Sequence, residues 1–186
     1  MTLLEMKKKV LALIEELNPD SEVLTDDPDI SAKINSVINQ VQFELARMKK
    51  IPKYVEMEVK EGDQITFEDI GSAAGYEIYQ LGTVCGANHT YKANGTVLKI
   101  LEDGTLEIDC FVYPERIDDK TKDNFEFELS ADALEIMPYG IAADLLKSDI
   151  SSGYGATYMT RYELMLQRLD PRNHMTSIYI EGGVSF

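Results

Sequence analysis

Apolar residues recur at helical spacing at both ends of this chain and at alternate positions in its middle. Near the start, Leu3, Met6, Val10, Leu13 and Leu17 form one stripe, broadened by Leu11 and Ile14. "TLLE" fits a capping box, with Thr2 as N-cap and Glu5 reaching back. A helix is therefore expected from about Thr2 to Leu17, ended by Asn18-Pro19, because the residue before proline disfavours the α region. A second helix starts with Asp27 as N-cap and Pro28 at its first position, where no donor is lost. Ile30, Ile34, Val37, Ile38, Val41, Leu45 and Met48 supply its apolar face, and Ile51-Pro52 stops it.

From Lys53 the period changes to two. In "YVEMEV", Val55, Met57 and Val59 face one way and Glu56 and Glu58 the other. "QITFED", "YEIYQLGTV", "HTYKA", "TVLKIL", "TLEIDCFVY" and "FEFEL" read as further strands. Asn94-Gly95 and Asp103-Gly104 each suit a two-residue hairpin turn, which implies a meander of the strands around them. Leu106, Ile108, Cys110 and Val112 share one face of the last long strand. Helices return after Ser130, with Pro138 expected to kink or restart the first of them. Ile141, Ala142, Leu145 and Leu146 form its stripe, and Ser148 or Asp149 could cap a final helix running to about Leu169. Tyr154, Tyr158 and Tyr162 lie on one face of that helix, continued by Met165 and Leu169. The stripe reads as a core or subunit seam, since a tyrosine edge can stay wet while the ring is buried.

The fold class that follows is α+β. Residues 1–50 and 125–172 form a small helical bundle, residues 51–124 an inserted antiparallel β unit, and residues 173–186 an extended arm. A length of 186 residues suits a domain with an insertion. The net charge of −15 argues against a basic surface for nucleic acid. Most of it sits in residues 51–130, which hold 17 acids against 7 bases. No apolar run is long enough for a membrane helix, and the start does not read as a signal peptide, so a cytoplasmic chain is expected.

Candidate chemistry is sparse. Cys85 and Cys110 lack a CxxC spacing and read as small buried hydrophobes. His89 and His174 belong to no metal-ligand pattern, and no cofactor motif is present; the glycines of "GTVCGANHTYKANG" fit strand turns better than a phosphate loop. Cys85 with His89 could act as nucleophile and base, but nothing supplies a third partner. Paired acids such as Glu107 with Asp109, and Glu56 with Glu58, read as the solvent face of strands. No catalytic, metal or cofactor residue is assigned, and the chain is not expected to be an enzyme. Ile178, Tyr179, Ile180, Val184 and Phe186 of the arm are the candidate partner-binding residues, suited to strand addition.

The segment "ELSADALEIMPYGIAADLLKSDISSGYGATYMTRYELMLQRLD" resembles the closing helix pair of head–tail connector proteins of tailed bacteriophages, also called adaptor, head-completion or tail-tubular proteins. The matching residues are Leu134, Pro138, Ala142, Ala143, Leu145, Leu146, Arg161, Tyr162, Glu163 and Leu166. "INSVINQVQFELARM" is similar to the second helix of that family. The resemblance implies a structural virion protein. It would form a homo-oligomeric ring beneath the portal protein, extend the channel for double-stranded DNA and meet the next neck or tail component. It would stay in the host cytoplasm before assembly, bind no DNA specifically and touch no membrane. The alternative from the residues alone is an acidic cytoplasmic module that binds a protein or peptide without catalysis.

Overall fold

Helix α1 (Leu3–Leu13) begins with the expected capping box. The Thr2 N–H donates to Glu5 Oε2 at 2.8 Å, and the Glu5 N–H donates to Thr2 Oγ1 at 3.2 Å. The computed structural model describes residues 1–19, 24–91, 97–147 and 153–169. Helix α1 ends a turn earlier than its apolar stripe suggests, because Glu15 takes a left-handed φ of 63°. Helix α2 (Pro28–Met48) starts as expected, with Asp27 Oδ1 accepting from the N–H groups of Asp29 and Ile30.

The antiparallel strands form two three-stranded sheets. Strands β1 (Ile51–Val59), β6 (Gly104–Val112) and β3 (Ile78–Gly86) make one, in the order β1-β6-β3. Strands β2 (Gln64–Thr66), β5 (Val97–Ile100) and β4 (His89–Tyr91) make the other, in the order β2-β5-β4. The Asp103-Gly104 hairpin is therefore absent, since β5 and β6 belong to different sheets. Asp103 instead accepts from the Glu61 N–H at 2.7 Å, capping a turn remote in sequence. The Asn94-Gly95 turn lies outside the described residues, although the β4 and β5 it would join do pair.

A helix stands where "TFED" was expected to continue a strand. Helix α3 (Phe67–Ala74) opens with its own capping box, Thr66 with Asp69, and closes at Gly75 in the left-handed region. It packs against β1 and β3, with Ile70 fully buried. The inner faces of β1 and β6 carry Val55, Val59, Leu106, Ile108, Cys110 and Val112, all buried. "FEFEL" forms only an isolated bridge, Thr2 to Glu126. Around it the Leu3 N–H donates to the Phe125 carbonyl at 2.8 Å, tying the chain start to this segment.

Helix α4 (Ala131–Leu145) runs through Pro138 as one element. The proline has no N–H for the Leu134 carbonyl, but most of the residues around it are buried, so packing outweighs the lost bond. Helix α5 (Tyr154–Leu169) lies antiparallel to α4: Gly155 approaches Leu146, and Gly140 approaches Tyr162. Helix α4 also packs on α1 and α2. The fold is thus α+β, with helices from both ends of the chain gathered on α4. Buried apolar residues of helices and sheets form a contiguous cluster.

The join between helices and sheets is polar. Asn39 of α2 donates from Nδ2 to the Ile117 carbonyl at 2.7 Å and accepts from the Ile117 N–H at 2.8 Å. Gln42, fully buried, donates from Nε2 to Asn39 Oδ1 at 2.8 Å and to the Glu115 carbonyl at 3.0 Å. The Tyr79 hydroxyl of β3 donates to the Ala46 carbonyl at 2.8 Å. Buried peptide groups without partners are costly, so these bonds hold the segment after β6 against α2.

Candidate functional site

The residues singled out from the sequence fall in three places. The tyrosine stripe is a helix seam at two of its positions. The Tyr158 hydroxyl donates to the Leu13 carbonyl of α1, and that of Tyr162 donates to Glu44 Oε2 of α2 at 2.8 Å. Tyr162 is buried, and burial together with Glu44 pushes its phenol far above the ordinary range. Tyr154, 61% exposed, stands outside the seam.

Cys110 is buried, but Cys85 is exposed, contrary to expectation. The two register shifts in β3, between Ile78 and Gln80 and between Leu81 and Val84, offset each other, so Cys85 stays on the strand face opposite to buried Ile78; the expectation of burial rested on residue type and not on strand position. Cys85 pairs with Glu107 of the β1-β6-β3 sheet, whereas His89 opens β4 of the other sheet. His89 Nδ1 lies 2.8 Å from the Ala87 carbonyl. Between them Gly86 has a φ of +95°, and a Cβ there would stand 2.1 Å from the Thr105 carbonyl oxygen, so only glycine fits. Among the described residues, no three His, Cys, Asp or Glu side chains are grouped to hold a metal ion. His174 and the arm residues Ile178, Tyr179, Ile180, Val184 and Phe186 lie outside the described residues.

Two surfaces stand out. The first is the outward face of the β1-β6-β3 sheet. It presents Tyr54, Glu56 and Glu58 from β1 and Glu107 and Asp109 from β6, all exposed. Glu56 lies directly opposite Glu107, and Tyr54 opposite Asp109. The exposed strand residues of this face include no lysine or arginine; Lys53 of β1 turns away to Glu128, 3.3 Å distant. Desolvation and the carboxylates of Glu107, Glu56 and Asp109 raise the Tyr54 phenol above its ordinary value. Like charges facing each other across two strands destabilise a sheet, so this arrangement is not explained by stability. Acids at alternate strand positions were legible from the sequence, but the strand pairing that sets them opposite one another was not.

The second is a groove of ≈ 620 Å³ between α2 and the residues following β6, which the sequence reading missed. Its floor is apolar, with the Phe43 and Tyr113 rings 5.1 Å apart and Met48 beside them. The Arg116 guanidinium sits over Phe43, 4.7 Å from the ring centroid, and pairs with Glu77 at 3.3 Å. Arg47 Nε donates to the Tyr113 hydroxyl at 2.7 Å. Phe43 and Arg47 are one turn apart on α2, a spacing that could have flagged the rim. Gln40, Glu44 and Met48 of α2 line the groove too, whereas Glu77, Tyr113 and Arg116 come from far away in sequence. No known family model and no curated protein matches the chain.

Proposed function

We propose that this chain is a ring-forming structural subunit of the connector between a phage head and its tail, with the outward face of the β1-β6-β3 sheet turned toward the DNA channel. The observation that carries this reading is the exposed sheet face on which Glu56 lies opposite Glu107, with no ion pair to either among the described residues. A negative wall repels phosphates, so DNA can move past it without the Lys and Arg contacts that make binding tight. The residues behind the resemblance to connector proteins add support. Leu134, Pro138, Ala142, Ala143 and Tyr162 are buried in or beside the α4–α5 contact, as a shared packing pattern requires.

The ring docks on the portal protein and presents its far side to a neck or tail component. The arm residues Ile178, Tyr179, Ile180, Val184 and Phe186 contribute to contacts between subunits or with the portal. Electron microscopy of the protein mixed with the portal protein of the same genome tests the reading. Rings stacked on the portal with Glu56 and Glu107 at the lumen are expected. No association at high protein concentration overturns the connector in favour of the acidic binding module. Rings with those residues on the outside overturn the orientation.

A further inference from the structure

The groove on α2 has an apolar floor with guanidinium groups at its rim, in a chain whose net charge is −15. The chain beyond α5 contains a run of matching chemistry. Ile178, Tyr179 and Ile180 are followed by Glu181, the only acid between Pro171 and the last residue. From these we infer that residues 175–181 fold back into the α2 groove of the same chain, Ile178 and Ile180 against Phe43, Met48 and Tyr113, and Glu181 beside Arg116.

Distance permits this. The Tyr162 hydroxyl is bonded to Glu44, which itself lines the groove. Helix α5 ends at Leu169, two turns later, so the chain leaves it about 10 Å beyond the level of Glu44. Asp170-Pro171 favours a turn out of the helix, since proline disfavours the α region in the residue before it. Residues 170–174 then span up to about 17 Å when extended, enough to bring residue 175 back to the groove. A short tether of this kind holds its end at an effective concentration of about millimolar, which favours the same chain over a second copy in dilute solution. The inference does not depend on the connector reading, because it concerns the chain by itself. If both hold, docking on a partner competes with the groove for the same residues.

Nuclear magnetic resonance of the full-length, isotope-labelled chain tests it. Residues 178–181 are expected to show backbone order like that of the helices at every protein concentration. Arg116 has 66% of its side chain exposed, so Arg116→Glu leaves the fold intact, which far-UV circular dichroism checks. That substitution is expected to abolish the order at 178–181. Replacing Ile178 and Ile180 by serine is expected to shift the Phe43, Met48 and Tyr113 signals. The inference is overturned by a native chain without order at 178–181, or by order that survives both variants. Order that appears only as concentration rises also overturns it, and assigns the segment to a second copy.

Discussion

Gly140→Ala sets two effects of opposite sign against each other. On an open helix face the substitution stabilises by about 1 kcal/mol, because alanine loses less backbone freedom on folding than glycine. Gly140 instead faces the ring of Tyr162, and an added Cβ would stand 2.8 Å from Cε2 and 2.9 Å from Cζ. Carbon atoms settle at roughly 3.5–4.0 Å, so the ring must retreat by at least about 0.7 Å. It is buried and tethered, its hydroxyl 2.8 Å from Glu44 Oε2. Overpacking of this kind costs about 1–3 kcal/mol. Drawing the hydroxyl off Glu44 costs about 1 kcal/mol more, because the exposed carboxylate recovers water. After the gain in helix propensity, the net expectation is a loss of about 1–3 kcal/mol. Urea unfolding followed by circular dichroism measures it as a lower midpoint at unchanged slope. In a Tyr162→Phe background the ring can move without breaking a bond, so the penalty is expected to shrink by about 1 kcal/mol. A Gly140→Ala chain as stable as the native one refutes the close α4–α5 approach.

Asn39→Ala strips both peptide groups of buried Ile117 of their partners and is expected to cost about 2–4 kcal/mol in the same assay; a loss below about 1 kcal/mol would mean that water replaces the side chain. Tyr162 keeps its proton when folded but releases it near pH 10 when unfolded, so its contribution is complete below that pH and falls as pH rises above it, by up to about 1.4 kcal/mol per unit. Tyr162→Phe should flatten the alkaline limb of the stability curve, and an unchanged slope would contradict the burial of that hydroxyl. Glu56→Lys replaces a facing pair of acids by a salt bridge to Glu107 and should stabilise by about 0.2–1 kcal/mol at low salt, fading as salt is added. Lower stability in low salt would refute the register.

Local signals served well where one helix turn or one strand face decides the outcome. Thr2 with Glu5, and Asp27 with Pro28, each start a helix as read, and Leu106 to Val112 alternate as read. The failures share a physical origin. The Asp103-Gly104 pair has hairpin chemistry, but the strands on either side found better partners in two different sheets. Helix α3 was hidden because Thr66, Asp69 and Gly75 signal an element only eight residues long, inside an alternating stretch. Cys85 was misplaced because it was read from the usual burial of thiols, whereas its place in β3, opposite Glu107, puts it on the outward face. The acidic face was half legible, its alternation visible and its cross-strand pairing not. The groove was not legible, since Phe43, Glu77 and Arg116 meet only in three dimensions.

Helices α1 and α2 are made first, yet α4, the element on which both pack, follows some 80 residues or more after α2 ends. At a synthesis rate of about 5–20 residues per second, their greasy stripes wait at least roughly 4–16 s for cover. During that interval the emerging chain is vulnerable to sticking to its neighbours on the same message. Synonymous changes that slow translation between Ile51 and Ser130 should therefore lower the soluble yield of a protein whose finished form is unaltered.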